Sequence, residues 1–119
     1  MTEATRRREI AVRPAGARVT IRFAGREIVS TDAALELLEG SYPPVLYVPR
    51  ADADMAALER TDRSTHCPGK GDASYFSVVA GGERADNAVW SYEAPLEQVA
   101  AIRDHLAFYP DKVEVVREG

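Results

Sequence analysis

A single cysteine, Cys67, serves all 119 residues. It excludes an internal disulfide and fits a reducing compartment. With no Cys-x-x-Cys pair, a structural zinc site of the usual kind has too few ligands, even counting His66 and His105. Basic excess is lacking too: 15 Lys and Arg against 19 Asp and Glu leave a formal charge of −4, which argues against a duplex nucleic-acid surface. No apolar run approaches the ~20 residues of a membrane-spanning helix. The opening Met1-Thr2-Glu3-Ala4-Thr5-Arg6-Arg7-Arg8 lacks the apolar region of a signal peptide. A cytoplasmic protein that touches neither membrane nor duplex nucleic acid is expected. A phosphate-binding loop, Gly-x-x-x-x-Gly-Lys-Ser/Thr, is missing as well: Ser64 stands at the first glycine position and Gly71 follows Lys70. Neither a metal nor a cofactor is expected.

What is present suits one domain. A chain of this length buries roughly 65% of its unfolded surface. Arg6-Arg7-Arg8, flanked by Glu3 and Glu9, reads as part of a solvated arm over residues 1–9, ahead of a β-rich domain at 10–119. Val19, Ile21 and Phe23 alternate with Arg18, Thr20 and Arg22, the period of a half-buried strand. Ala24-Gly25-Arg26 turns it back through 27–30, with 10–12 beside the hairpin. Residues 33–40 are ambiguous. Asp32 and Gly40 frame a helix, but Leu35 and Leu37 equally suit one face of a strand. Strands are expected at 45–48, 74–80, 87–92 and around Val113, Val115 and Val116. A brief helix capped by Asp52, a polar loop over 61–71 and a helix opening at Pro95, with Leu96, Val99, Ala100 and Ile102 in one stripe, complete the reading.

The chemistry concentrates in Thr65-His66-Cys67-Pro68-Gly69-Lys70-Gly71. Pro68-Gly69 suits the centre of a type II turn, which brings the Cα atoms of Cys67 and Lys70 within ~7 Å. A lysine so placed stabilises a thiolate whose usual pKa is ~8.5. Lys70, Thr65 and the amides around Gly69 and Gly71 would alternatively hold an anion. Equally, Cys67 is inert and Lys70 solvated. His66 is a possible base, although adjacent residues in an extended chain point apart. His105, on the helix, is a weaker triad partner. The aromatics Tyr47, Tyr75, Phe76, Trp90, Tyr92, Phe108 and Tyr109 form a second group. Trp90 and Tyr92 share a strand face, while Tyr75 and Phe76 oppose each other. Such rings either stack a planar ligand or fill a core.

Thr65-x-Cys67-Pro68-x-Lys70-Gly71-x-Ala73-Ser74-Tyr75, then Ala88-x-Trp90-x-Tyr92-x-x-Pro95, then Phe108-Tyr109-Pro110, with Pro44-x-x-Tyr47-x-Pro49 and Asp52 upstream, resembles the bacterial and fungal domain-of-unknown-function family 427. The resemblance implies a mostly β (α+β), compact, Mss4-like β-tent domain with one or two short helices, and a strand over 33–38. The family's label is nucleotidyltransferase-like, yet no paired carboxylates with a Gly-Ser signature are present to hold a metal–nucleotide. Other β-tent domains carry zinc on cysteine pairs, which this chain lacks, and some cage planar rings between aromatics. Gly69 stands where other members have a larger residue, which would open a pocket or loosen the turn.

Three functions follow as expectations. One is a small-molecule-binding domain, its anionic or ring-bearing ligand held by Thr65, Lys70 and Gly71 and stacked by Tyr75, Trp90 and Tyr92. Another is an enzyme with Cys67 as nucleophile or redox centre, Lys70 lowering its pKa and His66 or Tyr75 moving protons. The last is a protein-interaction domain in which the loop is structural.

Overall fold

The structure, a computed structural model, describes residues 9–119. The expected arm therefore lies almost wholly outside the described residues. Glu9 itself is tied in, its carbonyl accepting from the Gly40 amide at 3.1 Å.

Among the described residues, ten strands form three antiparallel sheets, so the chain is mostly β as expected. Strands β1 (Ile10–Pro14), β4 (Leu35–Glu39) and β5 (Val45–Tyr47) make one, in the order β1-β4-β5. Strands β2 (Arg18–Phe23), β3 (Arg26–Thr31) and β10 (Glu114–Glu118) make the second, ordered β10-β2-β3. Strands β6 (Leu58–Cys67), β7 (Gly71–Ala80), β8 (Glu83–Tyr92) and β9 (Ala107–Phe108) make the third in chain order.

Several expectations change. The 10–12 segment joins β4 rather than the β2–β3 hairpin, pairing Val12 with Leu37. Leu35–Glu39, by contrast, is strand as the family resemblance implied, because β1 and β5 flank it and offer a ladder on both sides that outweighs helix propensity. The 61–71 stretch is no loop: its residues through Cys67 belong to β6, an edge strand whose polar side chains are mostly exposed. The brief helix is two 3-10 turns, Arg50–Asp52 and Met55–Ala57. Asp54, not Asp52, caps the second by accepting from the Ala56 amide, while Asp52 accepts from Thr31 Oγ1 at 2.7 Å. The stretch after Pro95 is also 3-10, Glu97–Ile102, broken at Val99. It still buries Val99 and Ile102, three apart, as a 3-10 stripe requires.

Strands β7 and β8 build two cores. Phe76, Val78, Ala88 and Val89 pack with Val19, Ile21, Ile28 and Val29 in one. Ala73, Tyr75 and Tyr92 pack with Leu37, Tyr47, Val99 and Ile102 in the other. Alternation along β7 lets one strand serve both, with Ala73 and Tyr75 on one face and Phe76 and Val78 on the other. Val48 and Leu106 exchange two 2.8 Å backbone hydrogen bonds that tie β5 to the entry of β9.

One buried carboxylate joins the two small sheets. Glu36 of β4, its side chain 7% exposed, accepts from Arg117 of β10 and from Arg13 of β1, each at 2.9 Å. Arg117 and then Arg13 hold its carboxyl below the usual 4.5, against the opposing effect of burial. Because the folded pKa is depressed, this stabilisation is present above about pH 4.5 and is lost as the pH falls through the folded value. Resistance to urea should therefore weaken below about pH 4.5 in the wild-type protein. In Glu36→Gln the same acid limb should be flatter, and an equal slope would show that the clamp contributes nothing.

Candidate functional site

The face of the four-stranded sheet turned toward β4 and β5 gathers the chemistry. Thr65 and Cys67 come from β6, Tyr75 from β7, Trp90 and Tyr92 from β8, and Tyr109 follows β9. Register places Tyr75 opposite Trp90 and Ala73 opposite Tyr92, so cross-strand pairing makes the cluster. The face expected for Trp90 and Tyr92 is the face they take, and Phe76 lies in the opposite core from Tyr75.

The 67–70 turn forms, closed by the Lys70 amide donating to the Cys67 carbonyl at 3.1 Å. It is not the expected type II turn. Gly69 does not adopt positive φ; Gly71 does, at +114°. Nor does Gly69 open a pocket. A Cβ there would meet Ile10 Cδ1 at 3.1 Å, and the Gln98 side chain donates to the Gly69 carbonyl at 2.7 Å. Gly71 is buried beneath the 94–96 segment, with the Leu96 amide donating to the Lys70 carbonyl at 2.9 Å.

Lys70 curls inward instead of facing solvent. Its Nζ lies 2.7 Å from Glu39 Oε1, with side chains 11% and 18% exposed. Burial works to lower its pKa, but the hydrogen bond to Glu39 and the contacts with Cys67 prevail and hold it above 10.5. The ammonium thus stays charged and is held by Glu39. Cys67 is half-buried. His66 is on the other side of β6, paired with Asp72 at 2.7 Å, and so is turned away from the thiol. His105 Nδ1 sits 3.1 Å from the Arg103 carbonyl in its own loop.

Beyond Cys67 the tyrosines take over. Thr65 Oγ1 and Tyr75 Oη are 3.0 Å apart, and Arg63 Cζ stands 4.9 Å above the Tyr75 ring. The Trp90 indole N–H donates to Tyr47 Oη at 3.2 Å. Tyr47 meets Trp90 edge-on, centroids 6.3 Å apart, and Tyr109 packs on it at 4.6 Å. Burial pushes the Tyr47 phenol far up, against the Trp90 hydrogen bond. Burial also raises Tyr92, with Cys67 and Tyr75 adding to it.

Trp90 faces outward into a groove of about 480 Å³. Tyr42 and Pro44 form one side, Phe108 and Pro110 another, and Val115 of β10 helps to close it. Its walls are rings and aliphatic carbons with no charged side chain. The opposite face of the sheet differs: Arg50 and Arg60 both lie over Phe76 and both pair with Glu93.

The structure thus brings together Thr65, Cys67, Lys70, Tyr75, Trp90 and Tyr92. Tyr47 and Tyr109 stand among the aromatics grouped from the sequence but not among its binding residues, and Glu39 and Arg63 carry no expectation there. Glu39 had no local signal, since it sits 31 residues from its lysine. Among the described residues, no group of three His, Cys, Asp or Glu converges to hold a metal ion, and no helix is long and apolar enough to cross a membrane.

No curated protein matches the chain. The model of the domain of unknown function DUF427 matches residues 11–119, a span that holds the turn, the tyrosine cluster and the groove, and the chain belongs to that family.

Proposed function

We propose that this protein is a small-molecule-binding domain whose ligand carries an apolar ring that lies against Trp90. The observation that carries this reading is the groove. Its volume of about 480 Å³ falls in the range of small-ligand sites, about 300–1,000 Å³. Its aromatic and proline walls favour a planar, uncharged moiety, which gains hydrophobic burial and ring–ring contact. The groove thus supports the ring-bearing half of the expected ligand. The anionic half has less support from Lys70, whose charge is already engaged by Glu39.

Trp90 is the chain's only tryptophan, so its emission reports on the groove alone. Titration with indole and with naphthalene derivatives should give a saturable change in emission. Val115→Phe, which fills the groove from β10, should weaken that binding about tenfold, or about 1.4 kcal/mol. Emission that never saturates, or affinity unchanged by Val115→Phe in a folded variant, would refute the assignment.

A second reading rests on the turn that closes from Cys67 to Lys70. A thiol beside a lysine that remains protonated is a candidate nucleophile.

A further inference from the structure

The groove lies where the three sheets meet. Ile21 and Val115 reach it from the β10-β2-β3 sheet, Val45 and Leu46 from the β1-β4-β5 sheet, and Trp90 and Phe108 from the four-stranded sheet. Its opening therefore depends on how far the two small sheets stand apart. Among the described residues no strand ladder joins those two sheets.

Both chain connections between them, residues 15–17 and 32–34, lie at the same end. The Ala15 amide donates to the Ala34 carbonyl at 2.9 Å and ties the connections into a corner. Glu36, the second residue of β4, meets Arg117, whose register partner Val19 is the second residue of β2. Glu36 shares its face of the sheet with Leu46, its partner on β5. Arg117 shares its face with Val115, two residues back along β10. The ion pair and the groove are thus consecutive parts of one seam: a closed corner, then Glu36 and Arg117, then apolar walls that stand apart.

The two arginines on Glu36 lie at the same 2.9 Å but do different things. Arg13 is its ladder neighbour on β1, within one sheet. Arg117 crosses the seam, and its second nitrogen donates to the Ala15 carbonyl at 2.8 Å. Parting the sheets would take Arg117 from a carboxylate only 7% exposed and leave Arg13 in place. The connections fix the corner but not the angle between the sheets. A contact next to the corner governs that angle, and any change in it is amplified at the mouth.

We infer that Glu36 and Arg117 are positioning residues of the groove, which hold its Leu46 and Val115 walls at the spacing of a flat ring and make the site select planar over globular ligands. The inference rests on the ligand proposed for Trp90 and deepens that reading. Neither residue lines the groove; both act through the strands that carry its walls.

The probes are 2-naphthol, which is flat, and 1-adamantanol, a cage; both are uncharged alcohols of equal carbon count. Calorimetric titration of the wild-type protein at neutral pH should show 2-naphthol bound about tenfold more tightly. Arg117→Met should bring the two affinities within about threefold, by admitting the cage. Arg117→Lys, which keeps a cation at the seam, should restore most of the preference. Arg13→Met should keep it, although it removes a bond of the same length from the same carboxylate. A pair that only stabilised the fold would respond alike to both losses. If Arg117→Met fails to fold, Glu36→Gln, with its nearly identical shape, should show the same loss of preference. Equal affinities in the wild-type protein, a preference unchanged in the folded seam variants, or one lost equally in Arg13→Met overturns the inference while the groove keeps its ligand. Failure of 2-naphthol to bind the wild-type protein overturns the reading of the groove, and the inference with it.

Discussion

Replacing Lys70 with Met should destabilise the protein by about 3 kcal/mol, the scale expected when one partner of a largely buried ion pair is removed. Met keeps most of the side-chain volume, so the loss is electrostatic rather than a cavity. The Glu39 carboxylate is only 18% exposed and would lose its ammonium at 2.7 Å. Urea unfolding at neutral pH measures the loss, and Lys70→Met combined with Glu39→Gln should cost less than the two single losses summed, because the pair can be lost only once. The pH dependence has the opposite sense to that of Glu36. The Lys70 pKa is raised on folding, so the pair's contribution is complete below about 10.5 and is lost only as the pH climbs through the folded value. A variant as stable as wild type would show that the turn does not depend on the pair. Alkylation of Cys67 in the same variant separates the two functional readings. A thiolate sustained by Lys70 should react more slowly once the ammonium is gone, whereas a packing thiol should keep its rate or gain from looser structure.

Gly71→Ala should cost about 2 kcal/mol, and Gly69→Ala much less, although both glycines flank the same lysine. At φ +114° an L side chain is strained, and strain of this kind costs roughly 1–3 kcal/mol. The added Cβ would also sit 3.4 Å from the Ala94 carbonyl oxygen and 3.6 Å from the Leu96 amide nitrogen, backbone atoms with little room to move. At Gly69 the backbone is ordinary and the near contact is Ile10 Cδ1, the end of a flexible side chain. Midpoints of thermal unfolding for the two variants decide it. A larger loss at Gly69 would mean that the left-handed position of the turn is there after all.

The comparison of these glycines shows where local reasoning stopped. Pro68-Gly69 reads as a type II turn from residue preference alone, but the turn is also the link of a β6–β7 hairpin whose register pairs Cys67 with Gly71. Strand pairing placed the positive φ one residue beyond Lys70. The strand β6 was hidden for a related reason. Alternation reveals a strand only when one face is apolar, and LERTDRSTHC lies at a sheet edge with most of its side chains in solvent. The β2–β3 hairpin was legible because Val19 and Ile21 are buried and its turn, Ala24-Gly25, takes positive φ at both residues. Strands β7 and β8 and the final strand were legible on the same grounds. The stretch after Pro95 kept neither its α form nor its whole stripe: Val99 and Ile102 are buried, three apart as a 3-10 pitch requires, while Leu96 and Ala100 are exposed.

By itself the sequence determined a mostly β domain, the absence of a disulfide, and the concentration of reactive side chains around Cys67 and Lys70. Those follow from composition and from periodicities of a few residues. Tertiary structure alone decided that Lys70 answers to Glu39, that Tyr75 lies under Arg63 and beside Thr65, and that Trp90 opens onto a groove walled by residues as distant as Tyr42 and Val115. The reason is that these contacts depend on sheet order and register, and strand pairing joins residues whose separation along the chain leaves no local pattern.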